Sequence, residues 1–346
     1  MTPTSFVSTV VVGAGAVGSF YGALLARAGH RVTLIARPAH VAAIERDGLQ
    51  LQMAGQLQTL KLAATTDIAA VRDADLVLVC VKSTDTDAVA RQIAPLLRAD
   101  ALVLSLQNGV DNADTLAQHI HHQTVVPAVV YVATAMPAPG VVAHHGRGDL
   151  VIGPRRVEAA AKVSANGAAN AAASARAAVD NYTDTDTSRG ATQQRQLQAL
   201  VDLFASAGVA VRISPDVMAE LWSKLMVNCA YNAISGLAQQ PYGRMAALPV
   251  IREVQRAVVH EVVAVARAAG VAMVLDEALA AMERIAPAMP AQLSSTAQDM
   301  ARGKPSEIDH LNGFVARRGA ELGIATPVNQ TLFALVKLVE AGRTPG

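Results

Sequence analysis

Residues 10–18 read Val-Val-Val-Gly-Ala-Gly-Ala-Val-Gly. An apolar run ends at Gly13 and a helical pattern covers residues 19–28, so the stretch predicts a strand, a tight turn and a helix. Gly13 permits the sharp turn, Gly15 lets the backbone approach a pyrophosphate, and Gly18 lets the helix pack close to the strand. The helix N-terminus favours an anion. A glycine turn without a ligand is the less favoured alternative, and the predicted dinucleotide contacts are Gly13, Ala14, Gly15, Ala16, Val17 and Gly18.

The composition fits a globular protein of two domains. The chain has 346 residues, of which 52% are hydrophobic, and its formal net charge is +1. This charge provides no bulk attraction to nucleic acid or to a membrane. The N-terminus lacks a basic region and a cleavage site, and no uninterrupted apolar run is long enough to span a bilayer. We therefore expect a soluble, cytoplasmic protein with no nucleic-acid or membrane partner.

The cysteines and histidines do not indicate a disulfide or a metal. Cys80 lies in a strand pattern and Cys229 in a helix pattern, so both are interpreted as small buried hydrophobic residues, which fits a reducing compartment. The histidines within residues 119–122 and 144–145 have no cysteine or carboxylate at a supporting spacing. We therefore predict no metal site.

Further apolar runs predict the rest of a parallel sheet, with strands over residues 31–36, 75–81, 101–106 and 124–132. A hairpin is expected over residues 48–63, and the edge of the sheet over residues 137–153. Lys82 and Asn108 follow two of the strands, where ligands bind in open parallel sheets, so we expect both near a nicotinamide. Taken singly, a surface lysine and a turn-forming Asn-Gly pair would be the better interpretations.

Arg37 bears on which dinucleotide is used. Enzymes that use NAD typically carry Asp or Glu at the end of the second strand to hold the ribose 2′-hydroxyl. This chain has Arg37 there and no acid before Glu45. A guanidinium suits a 2′-phosphate, so the sequence favours NADP, with a solvated loop arginine as the alternative.

The second half of the chain changes character. Residues 158–196 are rich in Ala, Asn, Ser and Thr and predict a linker or insertion, helical in part at best. A helix over residues 197–206 and a strand over residues 209–213 follow. The remaining pattern predicts helices over residues 216–237, 248–269, 275–285, 294–300, 306–322 and 327–340. The predicted fold is an α/β Rossmann-type dinucleotide-binding domain (1–157), the linker (158–196) and a mainly helical, all-α substrate domain (197–346).

A polar stripe runs along the first long helix of that second domain. Glu220, Lys224, Asn228 and Asn232 are spaced by four residues and share one helix face, while the rest of the helix is apolar. A stripe this narrow is expected to face a pocket, where an ammonium can donate a proton and carboxamides can orient an oxygen-rich substrate. A thin polar edge in contact with solvent explains the stripe alone equally well.

Two further polar positions lie at predicted helix starts. Ser294 and Ser295 stand at a helix N-terminus, where hydroxyls and N–H groups suit a carboxylate. Glu307 follows Pro305 and Ser306 at a first helical position, where an acid stabilises a helix with no other role. Its spacing alone therefore assigns Glu307 no function.

Taken together and in this order, the motifs resemble the ketopantoate reductase (2-dehydropantoate 2-reductase) family. The motifs are Val-Gly-Ala-Gly-Ala-Val-Gly (12–18), Val-Lys-Ser (81–83), Gln-Asn-Gly-Val (107–110), Pro-Gly-Val-Val-Ala-His-His-Gly-Arg-Gly (139–148), Leu-Trp-Ser-Lys-Leu-Met-Val-Asn-Cys-Ala-Tyr-Asn (221–232), Ser-Ser-Thr-Ala-Gln-Asp-Met (294–300) and Ser-Glu-Ile-Asp-His-Leu-Asn-Gly (306–313). The resemblance implies NADPH-dependent reduction of ketopantoate to (R)-pantoate, a step toward pantothenate and coenzyme A.

The resemblance also implies residue roles. Lys224 would be the general acid that protonates the ketone oxygen, and Glu307 a catalytic acid that contacts the cofactor ribose. The implied substrate contacts are Asn108, Lys224, Asn228, Asn232 and Ser295. The implied cofactor contacts, beyond the glycine turn and Arg37, are Lys82, Asn108, Glu307 and an alanine within residues 133–135, taken as Ala135.

Two departures from the family pattern leave alternatives open. Tyr242 lies near the position of a third family asparagine, and residues 158–196 are longer than the usual interdomain loop. One polar contact can decide between 2-oxo acids, so a paralogous NADPH-dependent reductase of another 2-oxo acid is the first alternative. A non-catalytic NADPH-binding sensor is the second. A homodimer is an assembly that the sequence allows.

Overall fold

A computed structural model of the chain describes residues 6–155 and 174–342, without the side chains of residues 174–189. The chain forms two compact units. The first contains Met1–Val81, Val89–Leu106 and Leu116–Val217, and the second contains Lys82–Ala88, Gln107–Thr115 and Met218–Gly346. The continuous part of the helical unit begins at Met218, whereas the sequence predicts its start at residue 197. Two short segments from the N-terminal half of the sequence also belong to this unit.

Ten strands of the described chain form the sheet of the first unit. They are β1 (Ser8–Val12), β2 (Arg31–Ile35), β3 (Leu49–Met53), β4 (Gln56–Leu60), β5 (Ala63–Thr65), β6 (Leu76–Val79), β7 (Leu102–Ser105), β8 (Thr124–Ala138), β9 (Val141–Ile152) and β10 (Val211–Ile213). Their order is β4-β3-β9-β8-β7-β6-β1-β2-β5, and β10 pairs with β9. Strands β5, β2, β1, β6, β7 and β8 are parallel.

Three of the parallel strands, β1, β6 and β7, are buried along their whole length, as their apolar runs predict. The predicted hairpin is confirmed as the antiparallel pair of β3 and β4. The prediction that residues 137–153 form the edge of the sheet is wrong. Strand β9 folds back on the 15-residue β8 and also pairs with β3 and β10, so it lies inside the described sheet and not at its edge.

Five helices begin within residues 1–206 of the described chain: α1 (Ala16–Arg27), α2 (Pro38–Asp47), α3 (Thr86–Ile93), α4 (Asn112–Ala117) and α5 (Ser174–Ser206). Helix α5 begins 23 residues before the predicted start at residue 197. Its N-terminal part is rich in alanine, a strong helix former, but contains few large apolar residues that would have marked an amphipathic helix. The predicted linker thus overlaps a helix from residue 174 onward, and its residues 158–173 lie outside the described chain.

The second unit is helical, which confirms the predicted α/β plus all-α fold class. Its helices in the described chain are α6 (Val217–Ala238), α7 (Tyr242–Ala246), α8 (Pro249–Ala268), α9 (Leu275–Ala288), α10 (Ser295–Ala301), α11 (Asn312–Glu321) and α12 (Pro327–Ala341). The prediction of one helix over residues 306–322 is wrong. A 3₁₀ turn spans Ile308–His310, and Leu311, with φ −111° and ψ −108°, leaves the helical region before α11 begins.

Helix α6 is buried over most of its circumference, with Leu225, Met226 and Tyr231 at 1% exposure or less. Cys80 and Cys229 are free thiols; Cys229 is buried, as predicted, whereas Cys80 is partly buried against the core. Burial raises the pKa of each thiol. Within the described ranges, no helix has both the length and the apolar character needed to cross a membrane.

Candidate active site

The glycine turn has the geometry that its sequence predicts. Gly13 adopts φ +89°, and a Cβ there would lie 2.7 Å from the Val81 amide nitrogen. A Cβ on Gly18 would lie 2.6 Å from the Gly13 carbonyl oxygen, so this glycine permits the close packing of α1 on β1. The amides of Gly13 and Ala14 donate to the Ile35 carbonyl oxygen at 3.1 and 2.9 Å, which joins the turn to the end of β2.

Gly15 differs from the other two glycines. A Cβ built on it would meet nothing within 4 Å, so the packing of the protein does not require glycine there. Gly15 is exposed and is the N-cap of α1, and no side chain of the described residues caps this helix. The turn thus leaves open space in front of a helix N-terminus, and its residues fit the phosphates of a dinucleotide.

Two further predicted cofactor residues, Arg37 and Ala135, lie in the first unit. Arg37 is exposed and is the N-cap of α2, two residues beyond the Ile35 carbonyl that holds the glycine turn. This position suits a guanidinium that contacts the far end of a dinucleotide. Ala135 lies on β8 opposite Ala143 of β9, and only its backbone could offer a polar contact.

Lys82 belongs to the second unit, although it follows β6 in the sequence. Its Nζ donates to Asp299 Oδ2 at 3.0 Å and to the Pro305 carbonyl oxygen at 2.7 Å. The ion pair is partly exposed, so its net contribution to stability is small, about 0–1 kcal/mol. Its structural effect is to place the Lys82 ammonium beside the segment that leads into Glu307.

A hydrogen-bonded chain joins three of the predicted site residues, Lys224, Asn108 and Glu307. Lys224 Nζ donates to Asn108 Oδ1 at 3.0 Å, and Asn108 Nδ2 donates to Glu307 Oε2 at 3.2 Å. All three side chains are half-buried. The amide oxygen of Asn108 faces the ammonium and its amide nitrogen faces the carboxylate, so this contact fixes the orientation of the amide.

Ser83 and Asn112 support this hydrogen-bonded chain, although the sequence alone predicts no role for either residue. The Ser83 amide donates to Glu307 Oε1 at 3.0 Å, and the Ser83 hydroxyl donates to the Asn108 carbonyl oxygen at 2.7 Å. Asn112 Nδ2 donates to the same carbonyl at 2.5 Å. The available signals were the Val-Lys-Ser motif at Ser83 and the four-residue spacing of Asn112 from Asn108.

The polar stripe of α6 continues past Lys224 through Asn228, which is half-buried, to Asn232, which is buried. Asn232 Nδ2 lies 3.5 Å from the hydroxyl of Ser295, which is exposed at the start of α10. Ser294 is the N-cap of α10 and accepts from the Ala297 amide at 3.0 Å. The predicted position of the serines at a helix start is therefore confirmed.

Tyr242 contacts Asn232, the residue at the buried end of this stripe. Its hydroxyl lies 3.5 Å from Asn232 Oδ1, and its ring packs on Tyr231 with 4.7 Å between ring centroids. Burial raises the pKa of Tyr242, so its hydroxyl stays protonated and can donate to the Asn232 amide oxygen. Asn232 then directs its amide nitrogen toward Ser295.

The family comparison matches both halves of the chain. The family model described as "Ketopantoate reductase PanE/ApbA" matches residues 9–156, and the model of the C-terminal domain of the same family matches residues 216–340.

Relatives match over nearly the full length. A 2-dehydropantoate 2-reductase of Halobacterium salinarum is 32% identical, over 96% of this chain and 98% of its own. A crystal structure of a PanE/ApbA family ketopantoate reductase from Ralstonia eutropha JMP134 is 48% identical with a TM-score of 0.81, over 96% of this chain and 98% of its own. D-mandelate dehydrogenase in complex with NADH and anilino(oxo)acetate, at 22% identity and a TM-score of 0.79, shares the fold over 96% of this chain and 98% of its own.

Proposed function

Because the chain belongs to the ketopantoate reductase family, we propose that it reduces ketopantoate to (R)-pantoate with NADPH, in the synthesis of pantothenate and coenzyme A. Membership makes the chain an oxidoreductase that works with a nicotinamide dinucleotide and a small-molecule substrate. The observation that carries the proposal is the contact chain Lys224–Asn108–Glu307. It brings an ammonium, an amide and a carboxylate together within one unit of the protein, which supports the assignment of a proton donor.

The residues that would hold the cofactor are the glycine turn, Arg37, Lys82, Asn108, Ala135 and Glu307. The open space at Gly15 admits a diphosphate, and the N–H groups at the start of α1 point their partial positive charge at it. Arg37 supplies a guanidinium to the 2′-phosphate, which favours NADPH over NADH. When bound, NADPH supplies the hydride to the carbonyl carbon of the substrate.

Lys224 is the proposed proton donor. As the carbonyl is reduced, negative charge develops on its oxygen, and the Lys224 ammonium stabilises this charge and then transfers a proton to it. Asn108 fixes the position of the ammonium through its amide oxygen, and Glu307 fixes the Asn108 amide in turn. Asn228, Asn232 and Ser295 contribute amide and hydroxyl groups that hold the carboxylate and hydroxyl of the substrate.

A second candidate is the same reduction applied to a different 2-oxo acid, and Tyr242 favours it. Near the position of a third asparagine in the family pattern, this chain has Tyr242, whose hydroxyl contacts Asn232. One exchanged polar group can alter the preference between related substrates by large factors. The chemistry at Lys224 is the same for both candidates.

The proposal is tested by following NADPH absorbance with the purified chain and a panel of 2-oxo acids that includes ketopantoate. We expect oxidation of NADPH with the highest kcat/KM for ketopantoate, and weaker activity with NADH. A higher kcat/KM for another 2-oxo acid would select the second candidate. Binding of NADPH without turnover of any 2-oxo acid would contradict both and indicate a sensor.

A further inference from the structure

His40, on α2, is a buried histidine that the proposed chemistry does not use. Only 5% of the residue is exposed. Its Nδ1 lies 2.7 Å from the amide nitrogen of Gly140, in the turn between β8 and β9, and its Nε2 lies 3.1 Å from the hydroxyl oxygen of Ser19 on α1. The Ser19 hydroxyl in turn lies 3.1 Å from the carbonyl oxygen of Ala14.

The directions of these three hydrogen bonds follow from their chemistry. A backbone amide only donates, so the Gly140 N–H requires Nδ1 of His40 to be unprotonated. Burial lowers the pKa of His40 and so favours this neutral form. The ring proton of neutral His40 is then on Nε2, which donates to the Ser19 oxygen, and the Ser19 hydroxyl proton is left to donate to the Ala14 carbonyl.

The carbonyl of Ala14 belongs to the peptide group that joins Ala14 to Gly15. On its other side, the Gly15 N–H donates to the Gly13 carbonyl oxygen at 2.7 Å. A peptide group is planar, so holding its oxygen and its N–H fixes the plane of the whole group. Gly15 is the residue of the turn with open space in front of it, and the orientation of this peptide group therefore shapes the surface offered to a diphosphate.

We propose that His40 is a positioning residue that holds the glycine turn in its phosphate-binding conformation through Ser19. This inference rests on the proposed binding of NADPH at the turn. The competing explanation is that His40 only anchors the β8–β9 turn through Gly140. That turn already packs on α2, since a Cβ on Gly140 would lie 2.9 Å from the Ala43 Cβ.

Two substitutions of His40 separate these explanations, because each retains only one of the two hydrogen bonds that the imidazole makes. In His40→Gln the amide nitrogen stands the same number of bonds from the backbone as Nε2 and can still donate to Ser19. In His40→Asn the amide oxygen stands where Nδ1 was and can still accept from Gly140, but the donor to Ser19 is lost. Ser19→Ala removes the hydrogen bond from Ser19 to the Ala14 carbonyl while His40 itself is unchanged. The two hydrogen bonds that link His40 through Ser19 to Ala14 are called the relay below.

The test is the Kd for NADPH, measured by fluorescence titration of the full chain, together with kcat at saturating NADPH. We expect His40→Asn and Ser19→Ala each to raise the Kd about fivefold to tenfold, the cost of about one buried hydrogen bond. The double variant should be no weaker than either single variant, because both break one relay. His40→Gln should stay within about twofold of wild type, and kcat should not change in any variant. His122→Asn, at an exposed histidine, is the matched control.

A Kd for NADPH that is unchanged in Ser19→Ala, or equal losses in His40→Gln and His40→Asn, would overturn the inference and leave the proposed function intact. If His40→Asn does not fold, Ser19→Ala and His40→Gln still decide between the explanations. A wild-type chain that binds no NADPH would instead contradict the proposed function, and this inference with it.

Discussion

Replacing Lys224 by alanine isolates the proposed proton donor. Its Nζ is 3.0 Å from Asn108 Oδ1, and the substitution removes the ammonium while Asn108 keeps its contact to Glu307. General acids contribute about 10²–10⁴-fold to a rate, or about 3–5 kcal/mol of barrier. We therefore expect kcat for reduction of the 2-oxo acid to fall at least about 100-fold.

The same variant should remain folded. Loss of the half-buried hydrogen bond to Asn108 costs about 1 kcal/mol, which for a chain of this length lowers the Tm by about 4 °C at most. The Kd for NADPH should stay close to the wild-type value because Lys224 is assigned to the substrate. This combination of a large loss in kcat and a small loss in Tm separates a catalytic role from a structural one.

The assay is steady-state oxidation of NADPH at saturating 2-oxo acid, with thermal unfolding and NADPH titration on the same preparations. Lys61→Ala, at an exposed lysine after β4, is the control for loss of a positive charge. A Lys224→Ala enzyme with kcat within about threefold of wild type would refute the reasoning, because a true general acid contributes far more.

Three further substitutions test other parts of the proposal. Arg37→Asp should raise the KM for NADPH about 10- to 100-fold, because charged hydrogen bonds to the 2′-phosphate are lost, and it should improve the use of NADH. The control is Arg31→Asp, at the other end of β2. An unchanged cofactor preference in Arg37→Asp would reject the assignment of Arg37 to the 2′-phosphate. Glu307→Gln should lower both kcat and Tm, because its amide nitrogen would face an N–H donor of Ser83 or Asn108, at a cost of about 1–3 kcal/mol in stability. The control is Glu321→Gln, at an exposed glutamate, which should keep the wild-type kcat and Tm. Wild-type values in Glu307→Gln would argue against the role of Glu307. Tyr242→Phe keeps the ring on Tyr231 but removes the donor to the buried Asn232 Oδ1. The KM for the 2-oxo acid should therefore rise about twofold to fivefold, and the Tm should fall by about 4 °C at most, the effect of about 1 kcal/mol. An unchanged KM would show that the phenol does not orient Asn232.

The parts of the fold that the sequence could predict are those set by local chemistry. The roles of Gly13 and Gly18 follow from their own backbone and immediate neighbours, and the structure reproduces them. The buried parallel strands were equally evident from their apolar runs. By contrast, the sequence of β9 alone predicts an edge strand, because its own residues contain no information about the β3 strand that pairs with it.

The sequence predicts a set of residues for the candidate site, but not the hydrogen bonds between them. The stripe through Lys224 and Asn232 follows from helical periodicity. The bond from Lys224 to Asn108 joins residues 116 positions apart, and no local pattern predicts such a contact. Ser83 and Tyr242 were likewise visible in the sequence, but their partners, Glu307 and Asn232, become evident only in three dimensions.

The way in which the sequence is distributed between the two units restricts how the protein can be divided or recombined. Lys82–Ala88 and Gln107–Thr115 are encoded within the first half but belong to the helical unit. A single cut near residue 217 would give a C-terminal fragment that lacks Asn108 and Ser83, and with them the bonds those residues make to Lys224 and Glu307. A chimera that exchanges the C-terminal half between relatives must therefore transplant both short inserts as well, or it will join mismatched halves of one site.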